Sequence, residues 1–143
     1  YLAGGSAVHQ FTRVGKLAMV GGMAKIKQDV PPFVLIDGST AAEVVGLNKV
    51  GLRRNGYTAE DMLQLKAAYR VMYREGRRWS EVLEILAISF ATGPAAACHE
   101  FLKSGKRGFV QERRISRKAT LKIVSSDDDD LEETGTDQKR DAA

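Results

Sequence analysis

The chain has 143 residues, enough for one modest domain or for part of a larger one, and its formal net charge is +4. No apolar run approaches the roughly 20 residues that a membrane span needs, and a single Cys excludes an internal disulfide framework and favours a reducing, cytoplasmic location. Residues 125–143 sum to −6 and the other residues to +10, which favours an anionic partner for the folded part.

A period of six residues governs the start of the chain. Branched aliphatic side chains recur at every sixth position: Leu2, Val8, Val14, Val20 and Ile26. Four residues after each stands a small or β-branched residue: Ser6, Thr12, Ala18, Ala24 and Val30. This period indicates a left-handed parallel β-helix, in which three hexads make one triangular coil. Gly15 and Gly21 follow two of the aliphatic positions, where we expect tight corners.

Five hexads make only about one and two-thirds coils, and repeat folds need about three or more repeats to bury a continuous core. The sequence also starts at Tyr1 rather than Met, already inside the repeat. We therefore expect residues 1–36 to be the end of a longer β-helix whose earlier coils precede Tyr1. Pro31 and Pro32 end the repeat because proline donates no ladder hydrogen bond.

A helical period replaces the hexads in the second half of the chain. After a connecting segment, residues 37–57, we predict a small α-helical domain over residues 58–110. Its three helices begin after a Thr58 capping box, at Ser80 and near Pro94. Basic side chains are predicted to stay exposed on this domain: Lys66, Arg70, Arg74, Arg77 and Arg78. Charge dominates residues 111–143, which we predict to be a disordered acidic tail.

Four blocks of residues resemble the UDP-N-acetylglucosamine O-acyltransferase family in order and spacing. They are Val8-His9-Gln10-Phe11, Met19-Val20-Gly21-Gly22, Gln28-Asp29-Val30-Pro31-Pro32-Phe33, and Gly46-Leu47-Asn48 with Gly51-Leu52-Arg53-Arg54. The resemblance implies transfer of a 3-hydroxyacyl group from acyl carrier protein to the 3-hydroxyl of UDP-N-acetylglucosamine, the first step of lipid A biosynthesis. It also implies a homotrimer and no cofactor apart from the phosphopantetheine that the carrier protein brings.

The resemblance places the family's general-base His and its oxyanion-binding amide before the block that contains His9. We therefore expect no catalytic residue in this chain, and no activity from the chain alone. His9 and Gln10 match positions that line the nucleotide-sugar site, and Asn48 and Arg54 match positions that a neighbouring subunit offers to the nucleotide. Their chemistry agrees, since a guanidinium binds a diphosphate and amides both donate and accept hydrogen bonds.

Three further positions bear on the substrates. In the family, a residue at the position of Gly22 sets the depth of the groove that holds the acyl chain, and glycine leaves room there. Val50 stands where some relatives carry an acid, and Asn55 where they carry a second base. Nucleotide contacts at Val50 and Asn55 are therefore open.

Two other functions are compatible with parts of the pattern. The first is another hexapeptide-repeat acyltransferase, which would lack the Gly-Leu-Arg-Arg block before the first helix. The second is a non-catalytic binding or scaffold fragment, including a nucleic-acid binder that uses the basic surface. We expect no nucleic acid, because Tyr69 and Tyr73 lie on apolar faces, and no metal site, because Cys98 has no partner at ligand spacing.

Overall fold

The computed structural model describes residues 1–38 and 41–113. In these parts of the chain, short strands come first and helices follow. The strands are β1 (Ala7–Val8), β2 (Met19–Val20), β3 (Lys25–Ile26), β4 (Val34–Asp37) and β5 (Glu43–Leu47), and the helices are α1 (Lys49–Arg54), α2 (Ala59–Tyr73), α3 (Trp79–Ser89) and α4 (Ala96–Lys103).

The first strands stack in parallel as successive coils. β1 pairs with β3 so that Val8 lies beside Ile26, and a parallel bridge places Leu2 beside Val20. In both pairs the partners are 18 residues apart, which confirms the predicted coil of three hexads. The stacking buries the aliphatic side chains of the second coil, since Val20 and Ile26 are 0% and 1% exposed.

The last coil is two residues shorter than predicted. Val14 pairs with Val30, and Val20 with Ile36, at a separation of 16 residues. Val30 therefore occupies an aliphatic, fully buried position and not the small-residue position of a fifth hexad. That detail of the prediction was wrong because a β-branched residue suits both the aliphatic and the small-residue position of a hexad. The sequence pattern therefore did not reveal that the coil is shortened.

The corners of the coils adopt left-handed backbone at six-residue intervals. Gly5, Phe11, Leu17 and Met23 have φ values of 71°, 62°, 52° and 62°. Phe33, with φ 66°, is the equivalent corner of the short coil. The six-residue spacing puts the intervening corner at residue 29, where the backbone is not left-handed, and the two residues are lost at that corner.

Gly15 and Gly21 are not the corners, which corrects the expectation from the sequence. A Cβ on Gly15 would lie 2.4 Å from the backbone nitrogen of Pro32, and a Cβ on Gly21 would lie 2.8 Å from the carbonyl oxygen of Ile36. Both glycines face the short coil. They are required by the close approach of its backbone and not by their own dihedral angles.

The first coil has an uncovered apolar face. Leu2 and Val14 are 52% and 36% exposed, whereas their partners in the next coil, Val20 and Val30, are completely buried. Tyr1, next to Leu2, is 77% exposed. The inward side chains of the first coil are thus covered on one side only.

Residues 37–57, predicted as a connection, contain a strand and a short helix. β5 pairs antiparallel with β4, with Val34 opposite Leu47, so the chain folds back on the last coil. α1 follows directly, between the caps Asn48 and Asn55. With only Leu52 buried among its six residues, α1 has no apolar period from which it could be predicted.

α2 agrees with its sequence signal, whereas α3 begins at Trp79, one residue before the predicted Ser80, and α4 begins at Ala96, two residues after Pro94. The Thr58 hydroxyl accepts the Asp61 N–H at 3.1 Å and the Asp61 carboxylate accepts the Thr58 N–H at 2.8 Å, which confirms the capping box. The predicted basic side chains are all exposed. The apolar sides form the core with buried residues that include Leu65, Met72 and Leu86. No helix in the described ranges is both long and apolar enough to pass through a membrane.

The charged tail begins later than predicted. Val44 donates its N–H to Gln111 O at 2.8 Å and accepts the Arg113 N–H at 3.0 Å, so residues 111–113 lie along β5. Glu112 is only 6% exposed. The boundary at residue 111 was therefore wrong, because the sequence does not show that a carboxylate here has buried partners. The predicted disorder of residues 114–143 lies outside the described residues.

Candidate functional site

Arg13 joins the coils to the helices. The Asp29 carboxylate accepts hydrogen bonds from Arg13 N at 2.9 Å and from Arg13 Nε at 2.7 Å, and Asp29 is 2% exposed. The remaining guanidinium nitrogens donate to Ser104 Oγ at 2.8 Å and to Phe101 O at 3.0 Å. Asp29 also forms a parallel bridge with Phe109. These contacts fix α4 and the segment after it against the coil that carries the candidate site residues.

His9 and Gln10 lie side by side on the exposed surface of the first coil. His9 Nδ1 is 3.0 Å from Arg107 Nη1 and 3.0 Å from Gln10 O. Because a guanidinium can only donate, the Arg107 contact requires a lone pair on Nδ1 and thus the neutral ring protonated at Nε2. The other tautomer would donate from Nδ1 to Gln10 O. With Arg107 in place, the Nε2–H of His9 has no hydrogen-bond partner among the described residues.

Asn48 is buried and caps α1. Its Oδ1 accepts the Gly51 N–H at 3.0 Å, and its Nδ2 donates to Leu17 O at 2.9 Å, which ties α1 to a corner of the coil. One N–H and one lone pair of the amide remain for other partners. The structure therefore gives Asn48 a positioning role, and its predicted contact with a nucleotide stays a prediction.

Arg54 ends α1 and is exposed, like Arg53 beside it. Neither arginine forms an ion pair with the residues that the structure describes. Val50 is 55% exposed, and Asn55 turns back on the helix, its Nδ2 donating to Gly51 O at 2.7 Å. α1 thus carries two exposed guanidinium groups. The two positions that differ from the family pattern, Val50 and Asn55, place an apolar side chain and an amide bonded within the helix beside these groups.

The four predicted binding residues form two separate pairs. His9 and Gln10 lie on the first coil, whereas Asn48 and Arg54 lie at the two ends of α1. No hydrogen bond joins one pair to the other among the described residues. The prediction that a neighbouring subunit brings the second pair to the first is consistent with this separation and stays a prediction.

Gly22 lies at an exposed corner next to Met23. A Cβ on Gly22 would meet only Gly4 O, at 3.3 Å, and the φ of Gly22 is not in the left-handed region. The backbone therefore does not demand glycine, and a side chain would project outward after a small adjustment. The absence of a side chain leaves an open surface there, as a groove for an acyl chain would require.

An open groove of about 560 Å³ lies between β5 and α2. We call it the basic groove, and its lining consists of Val45, Gly46, Leu47, Lys49, Lys66, Tyr69, Arg70 and Arg74. Lys49, Lys66 and Arg70 make no ion pair within residues 1–38 and 41–113. Sequence reasoning found the exposed bases of α2 but not this groove, because its other wall is the unpredicted β5–α1 segment.

Glu112 contacts two residues that line the basic groove. Its Oε1 accepts the Tyr69 hydroxyl at 2.7 Å and pairs with Arg74 Nη2 at 2.5 Å. Burial and the hydrogen bond to Glu112 raise the pKa of Tyr69 well above its ordinary value, so Tyr69 stays a neutral donor. Of the four cations in the groove, Arg74 alone is committed to a carboxylate in the described structure.

Cys98 is buried in the helical core, and burial raises the pKa of its thiol to about 12. It is therefore a protonated core residue at neutral pH and a poor nucleophile. The described residues contain no group of three His, Cys, Asp or Glu side chains that could hold a metal ion.

Residues 29–110 match the sequence profile of the family described as UDP-N-acetylglucosamine O-acyltransferase, domain 2. The chain belongs to this family. Among its curated relatives, the protein from Synechocystis sp. is 46% identical over 90 residues, covering 63% of this chain and 32% of that protein. The protein from Verminephrobacter eiseniae is 40% identical over 115 residues, covering 77% of this chain and 44% of that protein. Both are named acyl-(acyl-carrier-protein)–UDP-N-acetylglucosamine O-acyltransferase.

Solved structures of the same family superpose on the chain. The UDP-N-acetylglucosamine acyltransferase of Francisella novicida gives a TM-score of 0.75 at 30% identity and covers 82% of this chain and 45% of that one. The enzyme from Moraxella catarrhalis gives 0.72 at 35% identity, covering 77% and 43%. The chain thus spans less than half the length of these family members.

Sequence reasoning missed Arg107 and Glu112. Arg107 is 98 residues from His9, and Glu112 is 43 residues from Tyr69. The one signal was Phe109-Val110, an apolar pair after Gly108 that is typical of a short extended segment. Had that pair been taken as the return of the chain to the coils, its charged neighbours would have been candidates for the site.

Proposed function

We propose that this chain is the C-terminal part of an O-acyltransferase of lipid A biosynthesis. The enzyme would move a 3-hydroxyacyl group from acyl carrier protein to the 3-hydroxyl of UDP-N-acetylglucosamine. A general base takes the proton of the sugar hydroxyl, and the sugar oxygen forms an ester bond with the thioester carbon as the carbon–sulfur bond breaks. The base then passes the proton to the departing thiolate of the carrier protein. The observation that carries the proposal is the family match over residues 29–110, among relatives named for this transfer.

The coils are the last one to two coils of a left-handed parallel β-helix in this proposal. The uncovered face around Leu2 and Val14 supports it, because a further coil stacked there would bury both side chains. Such burial stabilises by about 25 cal/mol per Å² of apolar surface. The general-base His would lie on such a coil, and the complete enzyme would be a homotrimer whose site is shared between subunits.

The described residues would then bind the substrates and not perform the proton transfer. His9 can donate from Nε2, and Gln10 can donate and accept, toward the sugar or the uracil. Arg54 would hold the diphosphate of the nucleotide sugar from the neighbouring subunit, since it is exposed and has no acidic partner in the described structure. Asn48 would fix the helix that carries Arg54. The open surface at Gly22 would receive the acyl chain.

The basic groove supports acyl carrier protein, an acidic partner, as the acyl donor. Lys49, Lys66 and Arg70 offer three charges that are not neutralised by the described part of the chain. Charges of this kind steer an acidic protein toward the surface, and their effect declines as salt rises. The phosphopantetheine on the carrier protein would be the one prosthetic group involved, and the enzyme would work in the cytoplasm.

The test is an acyl-transfer assay with a full-length polypeptide that contains this chain. We expect acylated UDP-N-acetylglucosamine from 3-hydroxyacyl carrier protein, and no turnover by residues 1–143 alone, because a general base contributes about 10²- to 10⁴-fold. Transfer of acetyl from coenzyme A instead would assign the chain to another hexapeptide-repeat acyltransferase. Turnover by the chain alone would show that the base does not lie upstream.

A further inference from the structure

The basic groove has a candidate occupant in the same chain. The sequence contains an acidic run of six acids in seven residues: Asp127, Asp128, Asp129, Asp130, Glu132 and Glu133, interrupted by Leu131. We propose that this acidic run docks in the basic groove and competes there with acidic partners. Charge complementarity, the reach of the chain and the apolar residues of the groove support the contact. The competition with acyl carrier protein rests on the proposed function.

Charge complementarity is the first argument. Lys49, Lys66 and Arg70 face the groove without an ion pair in the described residues, and Arg74 keeps part of its guanidinium exposed, with 42% of its side-chain surface accessible. A cluster of like charges around one groove repels itself and favours an acidic ligand. The junction arginine Arg13, in contrast, is already saturated by Asp29.

Reach is the second argument. Arg113, the last described residue, donates its N–H to Val44 O at 3.0 Å, and the next residue of β5, Val45, lines the groove. The chain therefore leaves the described structure beside the groove. The 14 residues from Arg113 to Asp127 can span at most about 48 Å, so the acidic run is held near the groove at a high effective concentration.

The third argument is the apolar character of the groove wall that β5 forms. Val45 is 37% exposed and Leu47 is half-buried, between the cations of α1 and α2. Leu131 lies inside the acidic run and can cover this wall while its neighbours meet the lysines and arginines. The family match ends at residue 110, so the acidic run lies outside the matched range, whereas the groove lies inside it.

Carbodiimide cross-linking of the full 143-residue chain tests the contact, because the reagent joins a carboxylate to a lysine amine that it touches. We expect cross-links from residues 127–133 to Lys49 and Lys66 to exceed those to Lys25 and Lys27 several-fold. The second pair is a matched control for reach, since both lysines are exposed and line a cavity together with Val110. Equal yields at both pairs would overturn the proposal.

Two variants separate a specific contact from general attraction. Arg70→Gln should lower the yield at Lys66 by about 1.5- to fivefold, the range expected for one exposed ion pair, whereas Arg53→Gln on the outer side of α1 should leave it unchanged. An equal decrease of the cross-link yield at Lys66 in both variants would contradict docking in the groove. In a mixture of isotope-labelled and unlabelled chains, the cross-links should stay within one chain; mixed pairs would instead show docking on a second copy.

The consequence for the partner is measured separately. In the complete enzyme, replacing the four aspartates with asparagine should tighten binding of acyl carrier protein, because the competing charge is removed. Unchanged binding would rule out the competition, while the cross-links to Lys49 and Lys66 report on the contact whether or not the proposed function holds.

Discussion

The arginines that pair with buried carboxylates differ from the exposed arginines of α1 and α2 that have no acidic partner in the described structure. Arg13 and Arg74 each meet a carboxylate, Asp29 or Glu112, whose side chain is 3% or 4% exposed. Arg54 and Arg70 meet no acid in the described parts of the chain. A buried carboxylate left unpaired is costly, which commits the first two arginines to the fold. The partner, and not the residue type, thus separates a structural arginine from one that is available to a ligand.

The largest loss of stability is expected for Asp29→Asn, at one of the two buried carboxylates. The change removes the charge that accepts the Arg13 backbone and side-chain donors, in a site where breaking a buried pair costs about 3–5 kcal/mol. Because the Arg13 side chain is 36% exposed and can be partly solvated, we expect a loss of about 2–3 kcal/mol in the free energy of unfolding. Urea unfolding followed by circular dichroism measures it.

The single thiol gives an independent readout for the same variant. Cys98 is buried in α4, the helix that the Arg13 contacts fix, so Asp29→Asn should speed its labelling by a thiol reagent. Glu60→Gln, an exposed change in the first turn of α2, is the control and should label like the parent. Parent-like unfolding of Asp29→Asn would show that the junction pair does not stabilise the fold.

A smaller effect is expected for Tyr69→Phe, which removes the hydroxyl that donates to Glu112. One such hydrogen bond to a charged acceptor contributes about 1.5–3 kcal/mol, and Arg74 still pairs with the carboxylate, so we expect about 1.5 kcal/mol. The loss should be local to residues 111–113. Hydrogen exchange should accelerate at the Arg113 and Val44 amides, which pair these residues with β5.

Tyr57→Phe is the matched control for Tyr69→Phe. The Tyr57 ring packs edge-on against Phe33, with centroids 5.9 Å apart, and its hydroxyl donates to no described residue. Its loss should leave exchange at Arg113 and Val44 unchanged. Equal acceleration in both variants would mean that Glu112 does not hold the end of the described chain.

The smallest change in stability is expected at an arginine that has no acidic partner. Arg70→Gln should change the free energy of unfolding by less than about 0.5 kcal/mol, as expected for a surface position without a partner. A loss comparable to that of Asp29→Asn would show that Arg70 has a structural role and is not free for a ligand. Thermal or urea unfolding beside the Asp29 variant decides it.

The coils and the three longer helices could be predicted from the sequence because each repeats a pattern over several turns. Aliphatics at every sixth residue mark the coils, and Thr58 with Asp61 marks the start of α2. The shortened coil could not be predicted, since Val30 suits either position of a hexad and the close approach of Gly15 to Pro32 exists only after the coils have stacked.

The candidate site was only partly predictable for the same reason. His9, Gln10 and Arg54 were named from the blocks in which they stand, and all three are exposed in the structure. The sequence does not show which hydrogen bonds the side chains form. Asn48 bonds to Leu17, and Arg107 bonds to His9, through contacts that exist only after the chain has folded back.

The most direct test of the account is the dependence of acyl transfer on nucleotide-sugar concentration in the complete enzyme carrying Arg54→Ala. Loss of a charge-assisted contact of about 1.5–3 kcal/mol should raise KM for UDP-N-acetylglucosamine by about 10- to 100-fold without lowering the unfolding free energy. Arg54→Lys should restore only part of the loss, because an ammonium cannot form two parallel bonds to a diphosphate. An unchanged KM for UDP-N-acetylglucosamine in both variants would contradict the assignment of Arg54 to the nucleotide. A rise only in the KM for the acyl carrier protein would contradict it as well.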